Sequence, residues 1–176
     1  MNRVVEVYII GTNHDFQIPG KGRPEEIRAF KSLLQDMCDQ YRVHAIAEEM
    51  SLERLSREGQ QESTCKKVAD KLGLPHRYCD PNSETRKSLG MIIDESDIYL
   101  QKLWSGLSDE QVNRKIRDEH KKRERYLLKE LTDLGVFPVL FICGAKHALS
   151  FADQASQVGL SNDVLCENWS PCGVVS

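Results

Sequence analysis

The chain lacks the features that would place it in a membrane. Its longest apolar stretch, Phe137 to Ala145, is broken by Pro138 and is far too short to span a bilayer. Arg3 and Glu6 flank and interrupt a weak apolar run at the start, and no A-x-A cleavage site follows, so a secretory leader is not expected. No sign of charge dominates either: 24 Lys and Arg face 27 Asp and Glu, for a net charge of −3. With an isoelectric point near 6.0, neither nucleic acid nor an anionic membrane surface is expected as a partner. The six cysteines (Cys38, Cys65, Cys79, Cys143, Cys166 and Cys172) never fall in a C-x-x-C spacing. That argues against a zinc ribbon or a disulfide framework, and in a cytoplasmic protein, the compartment expected here, they read as small buried hydrophobes. Pro/Gly/Ser-rich linkers, low-complexity tracts and short repeats are also missing, so residues 1–176 read as one domain. Compact metal motifs such as H-E-x-x-H do not occur.

What the chain does have is an alternation of strand and helix patterns. A strand over 4–10 leads into a loop with Pro19, Gly20 and Gly22. A helix then starts at Pro24, with Glu25 and Glu26 in its first turn, where the dipole favours acids. Its stripe is Ile27, Phe30, Leu33, Leu34, Met37 and Cys38. A strand over 43–47, a helical region over 62–72 closed by Gly73, and a short strand over 76–79 follow. Asp80-Pro81-Asn82-Ser83 reads as a turn, and 85–107 as a weaker helix. Ser108 caps a helix reaching Leu134 and stopped by Gly135. A strand over 136–143, a helix over 148–158 and a strand over 164–169 complete the pattern. It predicts a single α/β domain whose central sheet is mostly parallel or mixed and flanked by helices.

One motif occurs twice. Gly11-Thr12-Asn13-His14 and Gly144-Ala145-Lys146-His147 each follow an apolar, β-branched run. A strand ending in Gly lets the backbone turn sharply, and presents the next side chains at the carboxyl edge, where open α/β sheets bind ligands. His14 and His147 are therefore candidate site residues, and their strands are expected to lie close together. Cys143, just before the second glycine, reads as an apolar strand residue rather than a nucleophile.

The strand over 43–47 ends in Glu48 and Glu49. Adjacent strand side chains point to opposite faces, so one of these carboxylates faces the site and the other is free to cap the helix near Ser51. Two histidines and a carboxylate at one edge form a donor set for a first-row divalent metal (Mn, Co or Zn), or an acid/base set without metal. The 108–134 helix carries the stripe Val112, Ile116, Leu127, Leu131 and Leu134, with His120 and Arg123 filling its middle. Charge on a buried stripe needs a partner or a polar cleft, so this stretch is expected to line a pocket. His44 and His76 read as structural, and Asp15 as a residue that orients a histidine or sits near the site. The Asp80…Arg86 segment reads as turn chemistry before a solvated helix face, and the loop over 17–23, with Lys21 and Arg23, as a flexible surface loop.

These residues resemble the Tiki/TraB and erythromycin-esterase-like superfamily, in particular its small bacterial members. The islands that carry the likeness are "GTNHDF", "IAEEMS", "DPNSETRKSLG" and "RERYLLKEL…LFICGAKHALSF". The resemblance implies hydrolytic chemistry at one sheet edge: divalent-metal proteolysis in Tiki-like members, lactone hydrolysis in erythromycin esterases. It matches His14 and His147 to the motif histidines and Glu48 or Glu49 to the strand-end Glu. Arg123 matches the helix Arg, with Arg117 as a competing alignment. The expectation is a hydrolase acting on an ester or amide bond of a small-molecule or peptide substrate. Water would be activated at His14, His147 and Glu48 or Glu49, with His14, His147 and Glu49 as metal ligands if a metal is used. Arg123 would stabilise the oxyanion, and His120 would serve as proton donor or further ligand. A non-catalytic regulatory or immunity-type protein-binding module on the same fold is the alternative, with the charged helix after Ser108 as its face. A phosphoesterase or nuclease is a weaker third reading, disfavoured by the acidic isoelectric point.

Overall fold

Apolar side chains at period two build the strands, and each strand end delivers polar residues to one edge. The computed structural model describes residues 6–92 and 95–171. Its strands are β1 (Val7–Thr12), β2 (Ala45–Glu48), β3 (His76–Tyr78), β4 (Val139–Gly144) and β5 (Asn162–Trp169). They pair in the order β3-β2-β4-β1-β5, and every pairing is parallel. The sheet is thus wholly parallel among the described residues.

Helices α1 (Pro24–Gln40), α2 (Leu52–Arg57), α3 (Thr64–Leu72), α4 (Ser83–Ser88), α5 (Glu95–Ser105), α6 (Asp109–Leu134) and α7 (Ala148–Gln157) connect the strands. The expected weak helix over 85–107 is two helices, parted near Gly90, whose φ of 62° suits glycine alone. β4 begins at Val139 instead of 136, because Pro138 has no N–H to give to a ladder. Residues 4 and 5 of the predicted first strand, and Cys172, lie outside the described residues.

The two faces of the sheet bury different helices. Val7, Ile9, Ala45, Ala47, Val139 and Phe141 pack against Leu127 and Leu131 of α6 and Phe151 of α7. Ile10, Ile46, Leu140 and Ile142 pack against Phe30 and Leu34 of α1 and Val68 of α3. β1 and β4 are neighbours, yet the chain leaves β1 toward α1 on one face and leaves β4 toward α7 on the other. The crevice between two such carboxyl ends is the place where open α/β sheets bind ligands. No helix among the described residues is long and apolar enough to cross a membrane.

Candidate active site

The two G-x-x-H motifs are brought side by side by register. Gly11 pairs with Cys143 and Thr12 with Gly144. Neither motif glycine has a positive φ, so the sharp turn expected of them is not why they are glycines. Close approach is the reason. A Cβ on Gly11 would stand 2.0 Å from the Glu167 carbonyl oxygen, and one on Gly144 would stand 2.8 Å from His14 Nε2. Past Thr12 the chain enters a 3-10 turn, His14–Phe16, and past Gly144 it turns into α7 with His147 at the N-cap.

Glu49, one residue beyond β2, is the hub. It is buried, and its Oε2 accepts the Gly144 N–H at 2.7 Å. His14 Nε2 lies 3.7 Å from Oε2, and His147 Nε2 lies 3.6 Å from Oε1. Arg123 Nη2 approaches Oε1 to 2.9 Å as an ion pair, and Oε1 accepts no directed hydrogen bond among the described residues. Burial alone would raise the carboxyl's pKa, but Arg123, then His14, His147 and the Gly144 N–H, outweigh it and hold the group at about 2.

His147 is oriented from behind. Its Nδ1 is 2.7 Å from Oε1 of Glu124, a buried carboxylate on α6 that also accepts from Ser150 Oγ and Gln154 Nε2. An ionised carboxylate can only accept, so Nδ1 carries a proton and Nε2 faces Glu49 and the crevice. Burial disfavours the imidazolium; the Glu124 hydrogen bond and the Glu49 charge outweigh it, Arg123 opposes them, and the pKa rises above the ordinary 6.5. The His120 ring packs edge-on against His147, with centroids 4.7 Å apart.

His14 is held in a parallel way by a residue the sequence reading missed. Gln17 Nε2 donates to Glu48 Oε2 at 2.8 Å, which leaves Gln17 Oε1 against His14 Nδ1 at 2.7 Å. His14 therefore bears its proton on Nδ1 and turns Nε2 toward Glu49. Glu48 points to the opposite face from Glu49, as alternation requires, and is buried among Gln17, Ser63 Oγ and His76 Nε2. It does not cap α2; Ser51 does.

Several expectations need correction. The loop over 17–23 is no free surface flap, because Gln17 and Ile18 are buried and Lys21 pairs with Glu58 at 2.8 Å. The Asp80…Arg86 segment is more than turn chemistry: Asp80 is buried, takes Arg86 Nη2 at 2.9 Å and Arg123 Nε at 2.7 Å, and so fixes the site guanidinium. Arg117 is exposed, which leaves Arg123 as the α6 arginine at the site. Among the described residues the Asp15 carboxylate has no histidine partner, and the Asp15 backbone N–H donates to Asn13 Oδ1 at the start of the 3-10 turn. Cys143 is a buried core residue whose thiol pKa burial pushes well up. Cys38, Cys65, Cys79, Cys143 and Cys166 are free thiols. Glu124 was hidden among the charges of α6, although it lies four residues beyond His120 on the same stripe.

A metal at His14, His147 and Glu49 would need donors arranged around one point. Among the described residues no group of three or more His, Cys, Asp or Glu is so arranged, and the Arg123 guanidinium stands against Glu49 where a cation would sit. The arrangement does not fit a bound metal ion. Compared with protein-family models, with curated proteins and with solved structures, the chain matches none.

Proposed function

We propose that this chain is a hydrolase of the cytoplasm that cleaves an ester- or amide-type bond with water activated by His147 and without a metal. The carrying observation is the buried Glu124–His147 pair, which directs Nε2 into a crevice shared with His14 and Arg123. In the reaction Nε2 takes a proton from water as the hydroxyl oxygen adds to the carbonyl carbon. The imidazolium is steadied by Glu124 on one side and by the Glu49 carboxylate on the other. Arg123, held in place by Asp80 and Glu49, brings its positive charge to the oxyanion. Collapse breaks the C–O or C–N bond, and the imidazolium returns its proton to the leaving group. His14 stands across the crevice as a second polarising imidazole, and His120 backs the His147 ring. Membership of the Tiki/TraB and erythromycin-esterase-like superfamily belongs to the same proposal, supported by the order of motifs and by the close approaches that demand both glycines.

The test is a screen of ester, peptide and phosphoester substrates. His147→Ala should lower turnover about 10²–10⁴-fold, the usual loss of a general base, and EDTA should leave turnover unchanged. Activity that survives loss of both His14 and His147 overturns the assignment, and chelator-sensitive activity restored by Mn, Co or Zn overturns its metal-free form.

A non-catalytic protein-binding role is the second reading. Exposed Leu103 and Trp104 on α5 favour it. Complete inactivity in the screen, together with a protein partner lost on substitution of those two residues, would decide for it.

A further inference from the structure

The crevice over the two histidines is a cavity of about 330 Å³, walled in part by Arg54, Arg123 and Lys146. Among the described residues no carboxylate is part of its wall, and the buried Glu49 behind the two histidines is already paired with Arg123. Arg123 is already neutralised by Asp80 and Glu49. Arg54 and Lys146 are different, for neither has a carboxylate partner among the described residues. Two acids that share a groove with Arg54 are committed elsewhere: Glu53 to Ser83 and Arg57, Glu58 to Lys21. Arg54 also lines the adjoining groove of about 500 Å³, and Asp80 there is occupied by Arg86 and Arg123. In a chain with more acids than bases, two uncompensated cations at the rim of one small polar cavity call for an anionic ligand.

We propose that this cavity takes an oxyanion group, a carboxylate or a phosphate, seated against Arg54 and Lys146, so that the substrate is an acidic ester or amide with its scissile bond between His14 and His147. The substrate part of this rests on the hydrolase reading; the anion seat does not. Arg54 belongs to both cavities, so the charged end enters from the groove beside α2 while the reacting carbonyl reaches His147. Arg supplies a planar fork for such a group and Lys a point charge, a pairing suited to either oxyanion.

Inorganic phosphate and acetate are titrated separately into the full chain at constant ionic strength, following histidine ring C–H resonances by NMR. Saturable shifts at His14 and His147 are expected with at least one anion, and the tighter one identifies the group. Arg54→Gln and Lys146→Gln should each weaken that binding by about tenfold or more, as loss of a charge-assisted contact does. His147→Gln, which removes the proposed base, should still bind. Anion binding that follows Arg54 and Lys146 with no hydrolysis of any substrate keeps the seat and removes the hydrolase. Hydrolysis with no saturable anion binding, or binding indifferent to Arg54→Gln, overturns the seat and keeps the hydrolase.

Discussion

At the scale of single residues, the two motif glycines answer to different neighbours, and that difference is testable. A methyl on Gly144 would meet the His14 ring, a side chain that can swing, whereas one on Gly11 would meet the Glu167 backbone of β5, which cannot yield alone. Gly144→Ala should fold, with His14 pushed off Gln17, and should lose less stability than Gly11→Ala. A displacement of that kind costs about 10²-fold in rate, so kcat/KM should fall by about that much. Gly11→Ala should cost about 1–3 kcal/mol of stability through overpacking, read as a lower midpoint in urea. Equal melting of the two variants would show that the close approaches are not what these glycines serve. At this scale the sequence was legible where a residue type repeats in context: His14, His147 and Arg123 were visible as motif or stripe positions. Gln17 was not, because its role is fixed by Glu48, which lies far away in the chain and close only in the fold.

At the scale of elements, the site depends on α6 holding α7. Glu124 lies on the buried face of α6 with Leu127 and Leu131, and His147 starts α7, whose Phe151 stacks on Phe141 of β4 at 4.2 Å between centroids. The Glu124–His147 contact therefore sets both the position and the basicity of the imidazole. With the His147 pKa raised above 6.5, the base is neutral, and turnover full, only above that raised value; the acid limb of kcat/KM should lie there. Glu124→Gln removes the carboxylate that favours the imidazolium, so the limb should move to lower pH as the rate falls. The sign for stability runs the other way: the protonated pair stabilises the fold fully below about 6.5 and loses that contribution as pH rises through the raised value. A limb that stays in place in Glu124→Gln would mean that another group is titrating. Element positions were well marked in the sequence, since caps, glycine stops and stripe spacing are local signals; strand order was not. The adjacency of β1 and β4, on which the site depends, comes from hydrogen bonds between residues 132 positions apart, and only the matched motifs hinted at it.

At the scale of the whole molecule, apolar surface is unevenly distributed. The sheet and the helices α1, α3, α6 and α7 enclose the cores on both faces, while α5 buries Ile98 and leaves Leu103 79% and Trp104 88% exposed. The chain's other tryptophan, Trp169 at the end of β5, packs edge-on against Phe16 with centroids 5.3 Å apart and takes the Thr12 hydroxyl on its carbonyl. The two indoles therefore report on opposite conditions within one fold, one in water and one beside the β1 edge that leads to His14. Iodide should quench a red-shifted component belonging to Trp104, and Trp104→Phe should abolish that component and shift the remaining emission to the blue. Because Trp104 belongs to neither core cluster, the same variant should keep its unfolding free energy within about 0.5 kcal/mol of the parent, as surface substitutions do. Quenching that is unchanged in Trp104→Phe, or a marked loss of stability, would show that α5 is covered in solution and that its exposed face is closed by a second copy or another chain.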